Sequence, residues 1–292
     1  MYELKHLAGD SYYIESPAKI GLLRTGENKV CLIDSGNDKD AGRKIRQILD
    51  SNGWQLTAIY LTHSNADHIG GCQYLQKQTG CRVFAPGIEC DFTRHPALES
   101  AFLYGGYPCR DLQHKFLLAQ PCDAEPLVQQ VLPRGLEIIP LPGHFFDMVG
   151  YRTGDDVVYL ADCLSSKQTL DKYGIGFIYD VRAYLQTLEA VRGMSASLFV
   201  PSHAQVTQEI ASLAQYNIDH VGEILSRILA YCAEPREPSD ILQELFGMYG
   251  ITMDFEQYVL VGSTVRSMLA YLKDEGKLRA LFCDNRLLWE RA

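Results

Sequence analysis

The sequence lacks several features that would assign a chain of 292 residues to a class at once. It has no apolar run approaching the roughly 20 residues that a membrane-spanning helix needs, and no internal repeat. Its nine cysteines include no CxxC pair. Because disulfide frameworks belong to small secreted chains, we interpret these cysteines as mostly reduced, buried thiols. The opening MYELKHLAGD lacks the basic-then-apolar order of a secretory signal, so we expect a cytoplasmic protein with no membrane partner.

Positive charge is also in short supply. The chain has 27 Lys and Arg against 36 Asp and Glu, a formal net charge of -9. A field of that sign repels phosphate backbones, so a long nucleic acid is not an expected partner. The hydrophobic fraction of 47% suffices for a well-buried core and excludes disorder for most of the chain. The length is about twice that of a typical domain and favours two domains.

The order of predicted elements supports that division. The first two thirds alternate apolar strands with helical spacing, as in the strand from Lys29 to Asp34 and the helix from Asp38 to Asn52. From about 88 to 134 the pattern loosens into an irregular segment, which we interpret as one wall of a pocket. After Ala204 three helices and a short hairpin have the outline of a winged-helix module. We therefore predict domains 1–208 and 209–292.

The predicted tail is not suited to bind DNA. Residues 211–292 contain eight Lys and Arg against twelve Asp and Glu, and the third helix has no basic face. DNA-binding winged helices need a basic recognition helix. Two alternatives stay open for this segment: a lid over the edge of the first domain, or the surface of a homodimer.

Four of the eight histidines and one aspartate follow predicted strands. They are His63 and His68 after the strand that ends at Thr62, His144 after Leu141, Asp162 at the end of VVYLAD, and His203 after Pro201. Strand ends on one edge of a sheet converge in space. A single histidine at such a place is more often a capping or core residue, but the set, joined by Asp67, predicts a metal site. Imidazoles with carboxylates are ligands that zinc prefers.

These motifs resemble the metallo-β-lactamase-fold hydrolase superfamily over about residues 10 to 208. The family signature HxHxDH appears as HSNADH, from His63 to His68, and is followed by Pro-Gly-His144, Leu-Ala-Asp162 and Pro-Ser-His203. The segment CLIDSG, with Asp34, resembles the family's leading Asp-Gly. The resemblance implies an α/β fold, a four-layer αβ/βα sandwich, and some members carry a winged-helix domain behind it.

The resemblance also implies two metal half-sites. One would use His63, the residue at position 65 and His144, and the other would use Asp67, His68 and His203. Asp162 would bridge both, and a water or hydroxide between the metals would be the nucleophile. We assign Asp67 and Asp162 a catalytic role in addition to a ligating one.

Asn65 departs from the family pattern, which has histidine there. An amide oxygen is a weaker zinc ligand than an imidazole nitrogen. We therefore predict one firmly held Zn²⁺ on the Asp67 side and a weak or absent ion on the His63 side. Iron or manganese is an alternative to zinc, and a chain that has lost catalysis and keeps only the fold is an alternative to an enzyme.

Other residues are candidates for supporting roles. Asp147, three residues after His144, is a candidate acceptor for a hydrogen bond from a ligand imidazole, with an ordinary loop carboxylate as the alternative. Tyr173 and Tyr179 follow Asp162 in a segment with two glycines and are candidate substrate contacts, with packing as the alternative.

The sequence therefore predicts a metal-dependent hydrolase that uses a metal-bound hydroxide on a small ester, thioester or lactone. The alternatives are a phosphodiesterase or ribonuclease of the same fold and a non-catalytic metal-binding regulator. True β-lactam hydrolysis is not expected, because the second histidine of the loop is missing and there is no export signal. The substrate itself cannot be chosen from the sequence, because this fold and site serve unrelated chemistries.

Overall fold

Two β-sheets form the centre of the molecule in a computed structural model that describes residues 2–292. The strands of the first sheet are β1 (Glu3–Ala8), β2 (Ser11–Glu15), β3 (Ile20–Arg24), β4 (Lys29–Ile33), β5 (Gln55–Tyr60), β6 (Arg82–Ala85) and β7 (Ala124–Pro126). They are ordered as in the chain, antiparallel from β1 to β4 and parallel from β4 to β7.

The second sheet has four strands. They are β8 (Leu136–Pro140), β9 (Val149–Thr153), β10 (Val157–Ser165) and β11 (Leu198–His203). Their order across the sheet is β11-β10-β9-β8, with only the β10–β11 pair parallel.

The two sheets pack face to face through the side chains on one side of each strand. In β4, Cys31 and Ile33 enter a cluster that also contains Val157 and Tyr159 of β10, while Leu32 faces the opposite way. Successive side chains of a strand point to opposite faces, so each of these strands is apolar on both sides. Each sheet therefore has one face toward its partner and one face available to helices.

Helices cover the two outer faces. Helices α1 (Lys39–Ser51) and α3 (Cys72–Thr79) pack on the first sheet, and α7 (Val181–Arg192) and α8 (Ala211–Tyr231) pack on the second. The remaining helices are α2 (Ala66–Ile69), α4 (Glu89–Arg94), α5 (Ala97–Tyr104), α6 (Lys167–Tyr173), α9 (Pro238–Tyr249) and α10 (Phe255–Asp274). The layers run helix, sheet, sheet, helix, which confirms the predicted four-layer sandwich. None of the helices in residues 2–292 is long and apolar enough to cross a membrane.

The C-terminal segment contains the predicted helices and hairpin, the latter formed by β12 (Leu278–Cys283) and β13 (Arg286–Arg291). Buried side chains of α8, including Val221 and Ile224, belong to the same cluster as Leu188 of α7 and Val158 of β10. Residues on both sides of position 208 thus share one core. The domain division at 208 and the winged-helix assignment stay predictions.

Removing residues 209–292 tests that division. The fragment 1–208 would expose the apolar faces of α7 and β10, which α8 covers in the full chain. We therefore expect it to aggregate or to unfold without a cooperative transition, measured by circular dichroism melting and size-exclusion chromatography. A monomeric fragment with a cooperative melt close to that of the full chain would instead establish an independent first domain.

Candidate metal centre

Asp34 is the residue that orients the first part of the site, and it lies at the first position after β4. Its carboxylate accepts three hydrogen bonds of 2.8 Å, from the backbone N–H and the hydroxyl of Thr62 and from Nδ1 of His68. The residue is almost fully buried and has a φ of 67°, in the left-handed region that Asp and Asn tolerate better than most residues. Asp34 therefore links the end of β4, the loop after β5 and one imidazole of the HSNADH segment.

The same network orients His63. The Thr62 hydroxyl donates to Asp34, so it can only accept from Nδ1 of His63, 2.9 Å away. The proton of the His63 imidazole is thereby placed on Nδ1, and Nε2 carries the lone pair. His63 is fully buried, and its Nε2 has no hydrogen-bond partner in the described residues.

The other two imidazoles are oriented in the same way. Nδ1 of His144 donates to the carbonyl of Phe177 at 3.0 Å, and Nδ1 of His203 donates to the carbonyl of Pro17 at 3.1 Å. Since a carbonyl can only accept, each Nδ1 carries a proton. All four histidines thus present Nε2, the nitrogen available to bind a metal, toward the same place.

Asp162 lies where these nitrogens meet. Its Oδ1 is 3.2 Å from Nε2 of His68, and its Oδ2 is 3.1 Å from Nε2 of His203 and 3.9 Å from Nε2 of His144. The pairing of β10 with β11 shifts register at Ala161, which has a φ of 51°. The bend in β10 therefore immediately precedes the carboxylate that the site shares.

The ligand atoms form two groups that have Asp162 in common. One comprises Asp67, His68, Asp162 and His203, and the other comprises His63, His144 and Asp162. In the first, Oδ2 of Asp67 lies 3.3 Å from Nε2 of His203 and 3.6 Å from Nε2 of His68. The structure brings together every His and Asp that the sequence predicts as a ligand, and their role as ligands stays a proposal.

Three buried atoms of this cluster make no well-directed hydrogen bond in the described residues. They are Nε2 of His63, and Nε2 of His68 and Oδ1 of Asp162, which lie 3.2 Å apart but are not aligned for a hydrogen bond. Leaving a buried donor or acceptor unpaired costs about 1–3 kcal/mol. An ion in the Asp67 group would satisfy Nε2 of His68 and Oδ1 of Asp162, and an ion in the His63 group would satisfy Nε2 of His63. Imidazole nitrogen with carboxylate oxygen is a donor set that zinc accepts. The residues present therefore fit a metal centre.

Charge is distributed unequally between the two groups. Burial acts to lower the pKa of His68 and of His203, but neighbouring carboxylates outweigh it, led by Asp162. The pKa of His68 rises well above its usual value, and that of His203 rises to about 10. Burial instead lowers the pKa of His63 and of His144. The Asp67 group, with two carboxylates, therefore carries more negative charge than the His63 group, which has only the shared Asp162.

Asn65 lies beside the weaker group. Its Oδ1 is 3.1 Å from Nε2 of His144, and its Nδ2 donates to Oε1 of Glu99 at 2.6 Å. Glu99 belongs to α5 in the irregular segment and is almost fully buried. Nothing in the sequence singled out Glu99, because no motif links it to the HSNADH segment. Whether Asn65 binds a metal stays a prediction.

Asp147 does not orient an imidazole, so that interpretation is wrong. Its Oδ2 accepts from the backbone N–H of Ile88, and its own N–H donates to Glu89. The orienting carboxylate is Asp34. Glu89 also accepts from the hydroxyl and backbone N–H of Ser64, and burial raises the pKa of Glu89 to about 7.

A cavity of about 1110 Å³ opens onto the cluster. Tyr173 and Phe177 line it, and α10 contributes Glu256 and Leu260 from the tail, which favours the lid alternative. Tyr179 is not a lining residue; it packs against Phe146, with ring centroids 4.0 Å apart. The substrate role of both tyrosines stays a prediction, with geometric support for Tyr173 alone.

Comparison with known proteins places this geometry in a family. Residues 13–203 match the model of the metallo-beta-lactamase superfamily. Two curated relatives, both named hydroxyacylglutathione hydrolase, come from Bradyrhizobium sp. (strain ORS 278) and Pseudomonas entomophila (strain L48). The first is 34% identical over 44% of this chain and 41% of its own length; the second is 28% identical over 55% and 51%. The matches therefore span about half of these relatives or less.

Solved structures extend the likeness in fold to the tail. A beta-lactamase domain protein from Burkholderia ambifaria has a TM-score of 0.78 at 18% identity, covering 99% of this chain and 94% of its own. A metallo-beta-lactamase family protein from Thermus thermophilus has a TM-score of 0.72 at 19% identity, covering 100% and 98%. At such identities the likeness concerns the fold, and here it includes residues 209–292.

Asp34→Asn tests the orienting network. Asparagine tolerates the same backbone conformation, so the change removes the charge and one acceptor without adding strain. Loss of the carboxylate that orients His68 should weaken zinc binding by about 10- to 100-fold, measured by competition with a chromogenic chelator. Asp156→Asn is the matched control, because Asp156 also has a positive φ and bonds to Ser197, at the opposite end of β10 from Asp162. Equal zinc affinities in the two variants would contradict the orienting role.

Proposed function

The chain belongs to the metallo-β-lactamase superfamily, and we propose that it is a metal-dependent hydrolase of small carboxylic esters, with thioesters as the favoured substrates. The observation that carries the proposal is the convergence of four Nε2 atoms and two carboxylates, three of whose atoms are buried without partners, at the wall of a cavity. Buried polar atoms without partners are rare in native proteins and need a reason. Metal binding supplies that reason.

The candidate ligands have separate proposed roles. We propose that Asp67, His68 and His203 hold the firmer ion, that His63 and His144 face the weaker position, and that Asp162 serves both. A bound divalent ion would lower the pKa of a water and polarise the scissile carbonyl. Asp67 and Asp162 place acceptor oxygens at the same point, where they can orient the attacking water and receive its proton.

The proposed substrate class follows from the cavity and the relatives. The wall carries apolar side chains such as Phe116, Phe177 and Leu260, which suit a small organic acyl group. Lysines and glutamates line it as well, among them Lys19 and Glu256, so the lining is mixed. The two curated relatives carry the name of a thioester hydrolase. The names of the relatives support a carboxylic thioester ahead of a phosphodiester, and an ester or lactone shares the same carbonyl chemistry.

The ion is proposed to be zinc, bound unequally at the two positions. The Asp67 side has two carboxylates and two imidazoles, whereas the His63 side has two imidazoles and the shared Asp162. After dialysis against metal-free buffer, elemental analysis should therefore give nearer one zinc ion than two per chain. Two ions that both survive dialysis would contradict the unequal assignment.

A substrate panel tests the activity. S-hydroxyacylglutathione, simple thioesters, lactones and bis-p-nitrophenyl phosphate should be assayed with zinc, iron and manganese, and thioesters should give the highest kcat/KM. His68→Ala removes a proposed ligand and should cost at least about 100-fold, since even removal of an outer hydrogen-bond partner costs 10- to 100-fold. His6→Ala, at a histidine of β1 that does not line the cavity, is the matched control and should retain activity.

The alternative functions have distinct outcomes in the same panel. Turnover of the phosphodiester with no thioester turnover would replace the proposal by a phosphodiesterase. Two results together would replace the hydrolase proposal by a non-catalytic regulator. No substrate would turn over with any metal, and the His68→Ala variant would complement a deletion strain as well as the wild type does.

A further inference from the structure

Glu99 is a buried carboxylate that the proposed chemistry does not use. It is 3% exposed, it lies at the cavity wall, and it forms no ion pair within residues 2–292. Its Oε1 accepts a hydrogen bond of 2.6 Å from Nδ2 of Asn65, while its Oε2 is buried without a partner in the described residues. Burial raises the pKa of Glu99 well above its usual value, which favours the neutral carboxyl group. A buried polar group with one unpartnered oxygen still calls for a reason, whatever its charge.

The conformation of Asn65 is also unusual. It occupies the N-cap position of α2, where the side-chain oxygen of an asparagine normally accepts from the first turn of the helix. Here the side chain makes no capping bond. Its amide is turned away from the helix, with Nδ2 on Glu99 and Oδ1 toward His144.

That orientation brings two acceptors together. Nδ1 of His144 donates to the Phe177 carbonyl, so Nε2 of the neutral ring carries a lone pair, and it lies 3.1 Å from Oδ1 of Asn65. Two lone pairs at that distance repel each other unless a cation lies between them. His63, whose ring centroid is 5.2 Å from that of His144, presents a third lone pair on Nε2.

We propose that Glu99 is a positioning residue that holds the Asn65 amide with Oδ1 toward His63 and His144, so that the amide oxygen becomes a metal ligand at the weaker position. The inference rests on the proposed metal centre. In this proposal the amide oxygen of Asn65, held in place by Glu99 of α5, takes the place of the imidazole that the family pattern has at position 65. The weaker ion would then depend on a residue of the irregular segment.

Cobalt titration provides the test. The metal-stripped full chain is titrated with Co²⁺, and both the number of equivalents and the visible absorption band of each are recorded. We expect Glu99→Leu to weaken binding of the second equivalent by about 10- to 100-fold and to alter its band, with the first equivalent unchanged. Glu99→Gln should retain the second equivalent, because its carbonyl still accepts from Asn65. In an Asn65→Ala background, Glu99→Leu should have no further effect.

Glu89→Leu is the matched control. Glu89 is an equally buried carboxylate that holds Ser64 in the same loop without touching Asn65. Its loss should leave the second equivalent bound with an unaltered band, because Glu99 still holds the Asn65 amide. Thermal melts confirm that each variant is folded. The inference is overturned if Glu99→Leu binds the second equivalent as the wild type does, if Glu99→Gln is as weak as Glu99→Leu, or if the wild type takes only one. Absence of any binding to the wild type would instead refute the proposed metal centre.

Discussion

The carboxylate of Asp34 is the constraint on which the site depends. It is fixed by the backbone, because Asp34 N–H continues the ladder between β4 and β5 by donating to the carbonyl of Tyr60. From there it determines the orientation of His68 directly and of His63 through the Thr62 hydroxyl. Gly70 allows the end of α2 to pack against the loop that follows β4. A Cβ at Gly70 would lie 2.3 Å from the carbonyl oxygen of Asn37. Two imidazoles are therefore positioned by strand pairing and not by loop flexibility.

Asp162, on β10 of the second sheet, lies between the histidines of the two groups. It is the residue common to both groups of candidate ligands, and its charge is the chief reason why the pKa values of His68 and His203 rise while burial lowers those of His63 and His144. One carboxylate between four imidazoles cannot serve both sides equally, because Asp67 adds a second negative charge on one side only. The unequal charge of the two groups follows from this distribution.

The site residues that follow apolar strands could be predicted from the sequence, whereas those that long-range packing brings to the site could not. The histidines and Asp162 each follow an apolar strand, so their convergence could be predicted from strand order. Glu99 and Glu89 could not, because they reach the site from helices of an irregular segment with no motif of their own. Strands β1 to β3 were also not predicted, since their alternation is weak in sequence. Asp147 is the ordinary loop carboxylate of the two alternatives, because three residues of separation from His144 do not imply spatial contact.

The C-terminal helices contribute more to the site than their position in the chain indicates. Thr264 of α10 accepts from the backbone N–H of Ile178 and donates to the carbonyl of Gly176, and so holds the segment whose Phe177 carbonyl orients His144. The same helix contacts α5, where the Arg266 guanidinium donates to the carbonyl of Leu103, four residues beyond Glu99. The tail thus supports both groups that orient the weaker half of the centre. A change that loosens α10 would therefore act on His144 before it acted on His68, whose orientation by Asp34 depends on the pairing of β4 and β5.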